Sequence, residues 1–232
     1  MKGSFGKSIL LVICCLNIVF NAGCSSSRDV KGRDFEFSSI VKNDIDLVSE
    51  MHQQVVFDAL KVLATKLYKR NPDEWKKDGH ESLEIAVEGI TDDSVPDTNG
   101  MASIDYIRLT FDEGYQGDRV KTFVVGLEAM VLASYGGDRS FYLYDMLDAQ
   151  KLYDSARNLE LASWLIRTKY DSNDKLFLLS SAGTEEINLS FERLFGKMIN
   201  AQDMMAQIMA DRNHRQINYA IQTIITAFIP IL

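Results

Sequence analysis

Seven apolar residues, Ile187, Phe191, Leu194, Met198, Ala201, Met205 and Ile208, recur at alternating spacings of four and three. Three heptads of this kind place every member on one side of an α-helix, whereas a strand would scatter them over both faces. Thr184 stands where a cap belongs, Glu185 and Glu186 load the first turn, and Arg212, His214 and Arg215 load the last. Both charge biases are those the helix dipole favours. The same period runs through residues 39–70, where Ile45, Val48, His52, Val55, Val56, Ala59, Leu60, Leu63 and Leu67 form the expected inner face. Asn71-Pro72 then ends the helix, because the proline ring disfavours helical geometry in the residue before it. Only three prolines and fourteen glycines interrupt 232 residues, and apolar content is 46%. The expected fold is an all-α, single-domain bundle of about six to eight helices spanning residues 39–232.

Between the two long patterns the chain is punctuated. Residues 81–90 read as a short helix and residues 91–100 as the clearest loop. Residues 104–111 fit strand or helix; a lone strand cannot make a sheet, so helix is expected. Tyr115-Gln116-Gly117-Asp118-Arg119 is echoed twenty residues later by Tyr135-Gly136-Gly137-Asp138-Arg139. Each Gly-Asp suits a corner in which the aspartate caps the next helix. Between them Phe123, Leu127, Met130, Val131 and Ser134 share a helix face. Residues 141–170 read as helix, broken at most once, and residues 171–174 as a turn. Residues 217–232 are apolar, too short and too polar to span a bilayer, and read as a last core helix.

The N-terminus has a different logic. Lys2 and Lys7 precede an apolar run at residues 8–20, and Asn21-Ala22-Gly23-Cys24 follows. A run of about 13 residues is short of the roughly 20 that a spanning helix needs. A basic start, a short apolar run and small residues before a cut form the layout of a secretory signal. Ala22-Gly23-Cys24 resembles the end of the lipobox of bacterial lipoproteins, with Asn21 where that family usually carries an aliphatic residue. The resemblance covers residues 1–24. It implies cleavage between Gly23 and Cys24, a lipid on the Cys24 thiol and acylation of the new amine. Residues 1–23 would be removed, and residues 24–38 (Cys24, then a polar stretch) would tether the domain. Ser25, rather than aspartate, follows the cysteine, which implies the periplasmic face of the outer membrane.

On that reading Cys14 and Cys15 leave with the signal and Cys24 is acylated, so no thiol remains for a disulfide, a thiolate metal site or nucleophilic catalysis. The net charge is −8, and losing Lys2 and Lys7 makes it two units more negative. An acidic domain repels nucleic-acid phosphates and anionic head groups, so attachment to a membrane would come from the lipid.

Few residues announce chemistry. The three histidines, His52, His80 and His214, are far apart in sequence and form no recognisable metal or triad spacing. His52 is expected in the core. Glu81, Glu84 and Glu88 would share a helix face beside His80, more like a solvated surface than a cation site. No cofactor or metal is expected. Phe191, Met198, Met205 and Met209 lie on the inner stripe of the last long helix. They either pack the bundle or line a groove for a partner or acyl chain. The expectation is a non-enzymatic binding or scaffolding component with an envelope protein as partner. A carrier of acyl chains and a hydrolase using Asp/Glu chemistry are the alternatives.

Overall fold

In the computed structural model one helix is buried on nearly every side, with five other described helices packed against it. The structure describes residues 44–91, 96–139, 147–181, 188–213, 228–229 and 231. These belong to one compact unit running from Ser38 to Leu232. Among the described residues there are seven helices and no strand: α1 (Asp44–Arg70), α2 (Glu74–Lys77), α3 (Leu83–Ile90), α4 (Ser103–Leu109), α5 (Arg119–Ser134), α6 (Ala149–Thr168) and α7 (Ser190–Asn213). The all-α bundle is therefore what the chain forms. No described helix is long and apolar enough to cross a membrane.

The central helix is α5. It packs against α1, α2, α3, α4 and α6. Val120, Phe123, Val124, Leu127, Met130 and Val131 are all sealed from solvent. Reading α5 as one-faced understates it: Thr122, Val125, Gly126, Glu128, Leu132 and Ser134 are buried as well. A helix enclosed on nearly every side needs apolar or small residues all round. Gly126 shows how tight the enclosure is. A Cβ there would lie 2.6 Å from Cγ1 of Ile107 and 3.1 Å from its backbone nitrogen, both on α4.

Helix ends follow local chemistry. Asp118 accepts a hydrogen bond from the Lys121 backbone N–H (2.9 Å) and starts α5. Gly136 and Gly137 adopt positive φ (80° and 89°) and end it, as residues without a Cβ can at low cost. Ser82 accepts from Ile85 N–H and opens α3, so Glu81 precedes that helix. Asn71 stops α1: its N–H donates to the Leu67 carbonyl at 2.8 Å. Asn71 Nδ2 also donates to the Leu179 carbonyl (3.0 Å), and Leu179 N–H donates back to Oδ1 (2.8 Å). That pair fastens the 176–179 stretch to the end of α1. The turn at 171–174 forms around Asp171, whose Oδ1 accepts from Asn173 and Lys175 N–H.

Three expectations shift. The helix read over residues 141–170 is described from Ala149, capped by Asp148 through Gln150 N–H (2.8 Å), and stops at Thr168; residues 140–146 lie outside the described residues. In α1 the inner face from Val56 onward is the one expected. Its first half instead buries Asp46, Ser49 and Gln53, leaving Ile45, Val48, His52 and Val55 half-buried. Gln53 is held inward by polar pairing across the interface, Nε2 donating to the Asp138 carbonyl (2.8 Å), while Ser49 satisfies its hydroxyl on the Ile45 carbonyl of its own helix (2.8 Å). In α7 the stripe is wider than a two-helix seam because the helix packs on both α1 and α6. Phe195, Gln202, Ala206 and Ala210 join it, while Leu194 and Ile208 are half-buried. Thr184 and Ile187 lie outside the described residues, as does most of the expected final helix, but Asn188 and Leu189 are not helical and α7 starts at Ser190, so the expected start at Thr184 is too early.

Two glycine substitutions test this packing. Alanine is normally the better helix former by about 1 kcal/mol. Gly196→Ala, which meets nothing within 4 Å, should raise stability by about that amount. Gly126→Ala should lower it by roughly 1–3 kcal/mol through overpacking. Urea midpoints of opposite sign check the pair, and a stabilising Gly126→Ala would disprove the close approach of α4 and α5.

Candidate functional site

The spacing of Gln54, Phe57, Asp58 and Lys61 brings all four to one side of α1. With Leu60 they form one wall of a cleft of about 380 Å³. Glu88 and Thr91 close it from α3, Glu128 from α5, and Arg139 from the corner after α5. The volume is at the small end of ligand pockets.

Charge organises this cleft. Arg139 Nη2 lies 2.5 Å from Glu128 Oε1, with Glu128 almost fully buried and Arg139 about a quarter exposed. The Arg139 guanidinium also stacks over the Phe57 ring, 4.2 Å from its centroid. Planar guanidinium suits both contacts at once. At the rim Gln54 Nε2 donates to Asp58 Oδ1 (2.9 Å), and Asp58, Lys61 and Glu88 are exposed. The cleft therefore offers cations and carboxylates together around an aromatic face. That is a binding chemistry, suited to a small ligand bearing both signs. Its buried carboxylate is matched by a cation rather than by a second carboxylate.

The other corner is also dense, but its groups serve the fold. Tyr68, fully buried in α1, donates to Asp118 Oδ2 at 2.6 Å. Burial foremost, then the Asp118 charge, pushes the Tyr68 hydroxyl far above its ordinary pKa. Burial also raises the Asp118 carboxyl, against the hydrogen bonds from Tyr68 and Lys121 that lower it. Arg119 donates to the carbonyls of Thr110 (2.6 Å) and Tyr115 (2.7 Å) and lies 4.9 Å from the Phe177 centroid. At Gly117 the Tyr115 ring and hydroxyl fold over the space a Cβ would take.

The two Gly-Asp-Arg corners are thus unlike each other. They sit at opposite ends of α5, about 24 Å apart for 16 residues. Only Asp118 caps a described helix; Asp138 serves through its backbone carbonyl.

Of the residues singled out by sequence, Gly23 and Cys24 lie outside the described residues. Phe191, Met198, Met205 and Met209 are all essentially sealed from solvent and fill the inner face of α7. His52 is half-buried, with Nδ1 2.9 Å from the Val48 carbonyl; His214 is outside the described residues. Glu84 and Glu88 are exposed on α3, and Glu81 is exposed outside it. Among the described residues no three His, Cys, Asp or Glu side chains converge to hold a metal. Sequence reading missed the Glu128–Arg139 pair. Its one available signal was a lone acidic residue within the otherwise apolar second half of α5. No known protein family, curated protein or solved structure matches the chain.

Removing one member of a buried ion pair strands the other. Arg139→Met should cost about 2–3 kcal/mol, and adding Glu128→Gln should recover at least half of it. Urea unfolding of the two variants checks this; a double variant no better than the single one would show the pair to be uncoupled. Asp118 gives a pH signature. Its folded pKa is raised, so its contribution is greatest under acid conditions, below about the ordinary 3.8, and is lost as pH rises through the folded value. Asp118→Asn removes this titration while keeping a capping oxygen. Relative to the variant, the wild type should lose stability as pH climbs from 3 towards neutrality. A difference that is flat with pH would contradict the shift.

Proposed function

We propose that this chain is a lipid-anchored protein on the periplasmic face of the bacterial outer membrane and a non-enzymatic binding or scaffolding component of the envelope. The observation that carries this reading is Ala22-Gly23-Cys24 placed one residue after a short apolar run, ahead of a unit from Ser38 onward whose described elements are all helices. A single acyl chain holds a protein to a bilayer only marginally, so more than one chain on Cys24 is needed for a stable anchor. The mixed-charge cleft supports binding over catalysis, since Glu128 is engaged by Arg139. The burial of Phe191, Met198, Met205 and Met209 supports their role as internal packing over the carrier alternative, because their surface is already used between helices.

Metabolic labelling with a palmitate analogue, followed by membrane fractionation, tests the anchor. Wild-type protein should carry label and sediment with outer membranes, whereas Cys24→Ala should lose the label and leave the membrane fraction. Equal labelling of the variant, or a mature N-terminus at a residue other than Cys24, would overturn the proposal.

A further inference from the structure

The charges that border the cleft between α1, α3 and α5 do not cancel. Three carboxylates, on Asp58, Glu88 and Glu128, meet two cations, on Lys61 and Arg139. Glu128 and Arg139 neutralise each other, and Glu128 is the buried member. Two carboxylates and one ammonium remain, all on exposed residues. Among the described residues, Lys61 Nζ and the Glu88 carboxylate have neither a hydrogen bond nor an ion pair. Asp58 accepts from Gln54 on Oδ1, which leaves Oδ2 open. Lys61 stands only three residues from Asp58 on α1, a spacing that often gives a pair on a helix surface, yet the two are not paired.

A ligand that satisfies these three groups carries one carboxylate, for Lys61, and two cationic groups, for Asp58 and Glu88. Pairings of this kind are charge-assisted hydrogen bonds, the stronger class. A cleft of about 380 Å³ admits on the order of ten to twenty non-hydrogen atoms, the size of one amino acid or a dipeptide. The walls tell against an apolar ligand. Of the lining residues only Phe57 and Leu60 are apolar; Leu60 is buried, and the Phe57 ring already carries the Arg139 guanidinium. The chain as a whole bears a charge of −8, and a field of that sign draws in ligands of net positive charge.

We propose that the cleft binds a basic amino acid, free or within a short peptide, with its carboxylate on Lys61 and its two cationic groups on Asp58 and Glu88. This rests on the reading of the cleft as a site for a small ligand of both signs, and sharpens it to a ligand of net positive charge.

Calorimetric titration of the full chain in detergent at low salt, run into the millimolar range, tests this. The probes are L- and D-lysine, alanyl-lysine, alanine, glutamate and cadaverine, which is lysine without its carboxylate. A lysine or alanyl-lysine should bind at least about tenfold more tightly than alanine or glutamate, since two pairings are at stake. Tighter binding of alanyl-lysine assigns the peptide form, and tighter binding of lysine the free amino acid. Lys61→Met should weaken the best lysine probe by roughly threefold to tenfold and leave cadaverine no weaker, because only the first ligand has a carboxylate to lose. Glu88→Gln should weaken both. All three side chains are exposed, so urea midpoints should stay unchanged. Alanine bound as tightly as lysine, or glutamate bound more tightly, would overturn the basic preference while keeping a cleft for ligands of both signs. No binding of any probe would overturn both readings. Lysine binding that Lys61→Met and Glu88→Gln leave unchanged would overturn the proposal by placing the ligand elsewhere.

Discussion

Enclosure of α5 is the constraint on which the rest of the molecule depends. Its packed side chains, from Val120 to Val131, have no route to solvent, so each packing neighbour must supply a matching apolar face. Gly126 lets α4 come close enough to do so. The ends of the helix leave free N–H and C=O groups that need partners. Asp118 meets that need at the start, and the Gly136-Gly137 turn meets it at the end. The second solution has a consequence for chemistry. The turn reverses the chain along α5 and returns Arg139 to Glu128, across the face of Phe57. The cleft is thus a by-product of how α5 ends.

A second theme is polarity inside the bundle. Gln202 Nε2 bridges Ser134 on α5 and Ser155 on α6, Gln53 reaches from α1 to the Asp138 carbonyl, and Asn158 holds Ile229. Apolar packing is tolerant of sliding, but a buried amide is satisfied only where its partners stand. These bonds therefore set the register of α1, α5, α6 and α7 against one another. The arrangement is not without strain: Gln202 Oε1 is buried with no hydrogen-bond partner, a cost that the two bonds from Nε2 offset.

Much of this was legible in particular residues. Asn71-Pro72 marks the end of α1, Gly117-Asp118 the start of α5, and the apolar spacing from Phe191 to Met205 the long α7. The α4 assignment, ambiguous by pattern, followed from the absence of any partner strand. The cleft was not legible, because its walls come from α1, α3, α5 and a corner, brought together by packing rather than by spacing. Nor was the polar half of the α1 face: Ile45, Val48 and Val55 make a better apolar stripe than Asp46, Ser49 and Gln53 until the partner surface is known. The Asn158 clasp joins residues 71 positions apart and leaves no periodic trace.

Helix content, the end of α1, both ends of α5 and the sites of chain reversal were determined by the sequence alone. Propensity, capping and proline or glycine geometry act over about four residues, a range that any stretch of chain carries within itself. Which stripe of each helix turns inward, which helix lies at the centre and which charges meet were decided only by tertiary structure. Those outcomes depend on the surface a partner element presents, and burial rewards a polar residue over a neighbouring valine only when that surface holds a hydrogen-bond partner in the right place.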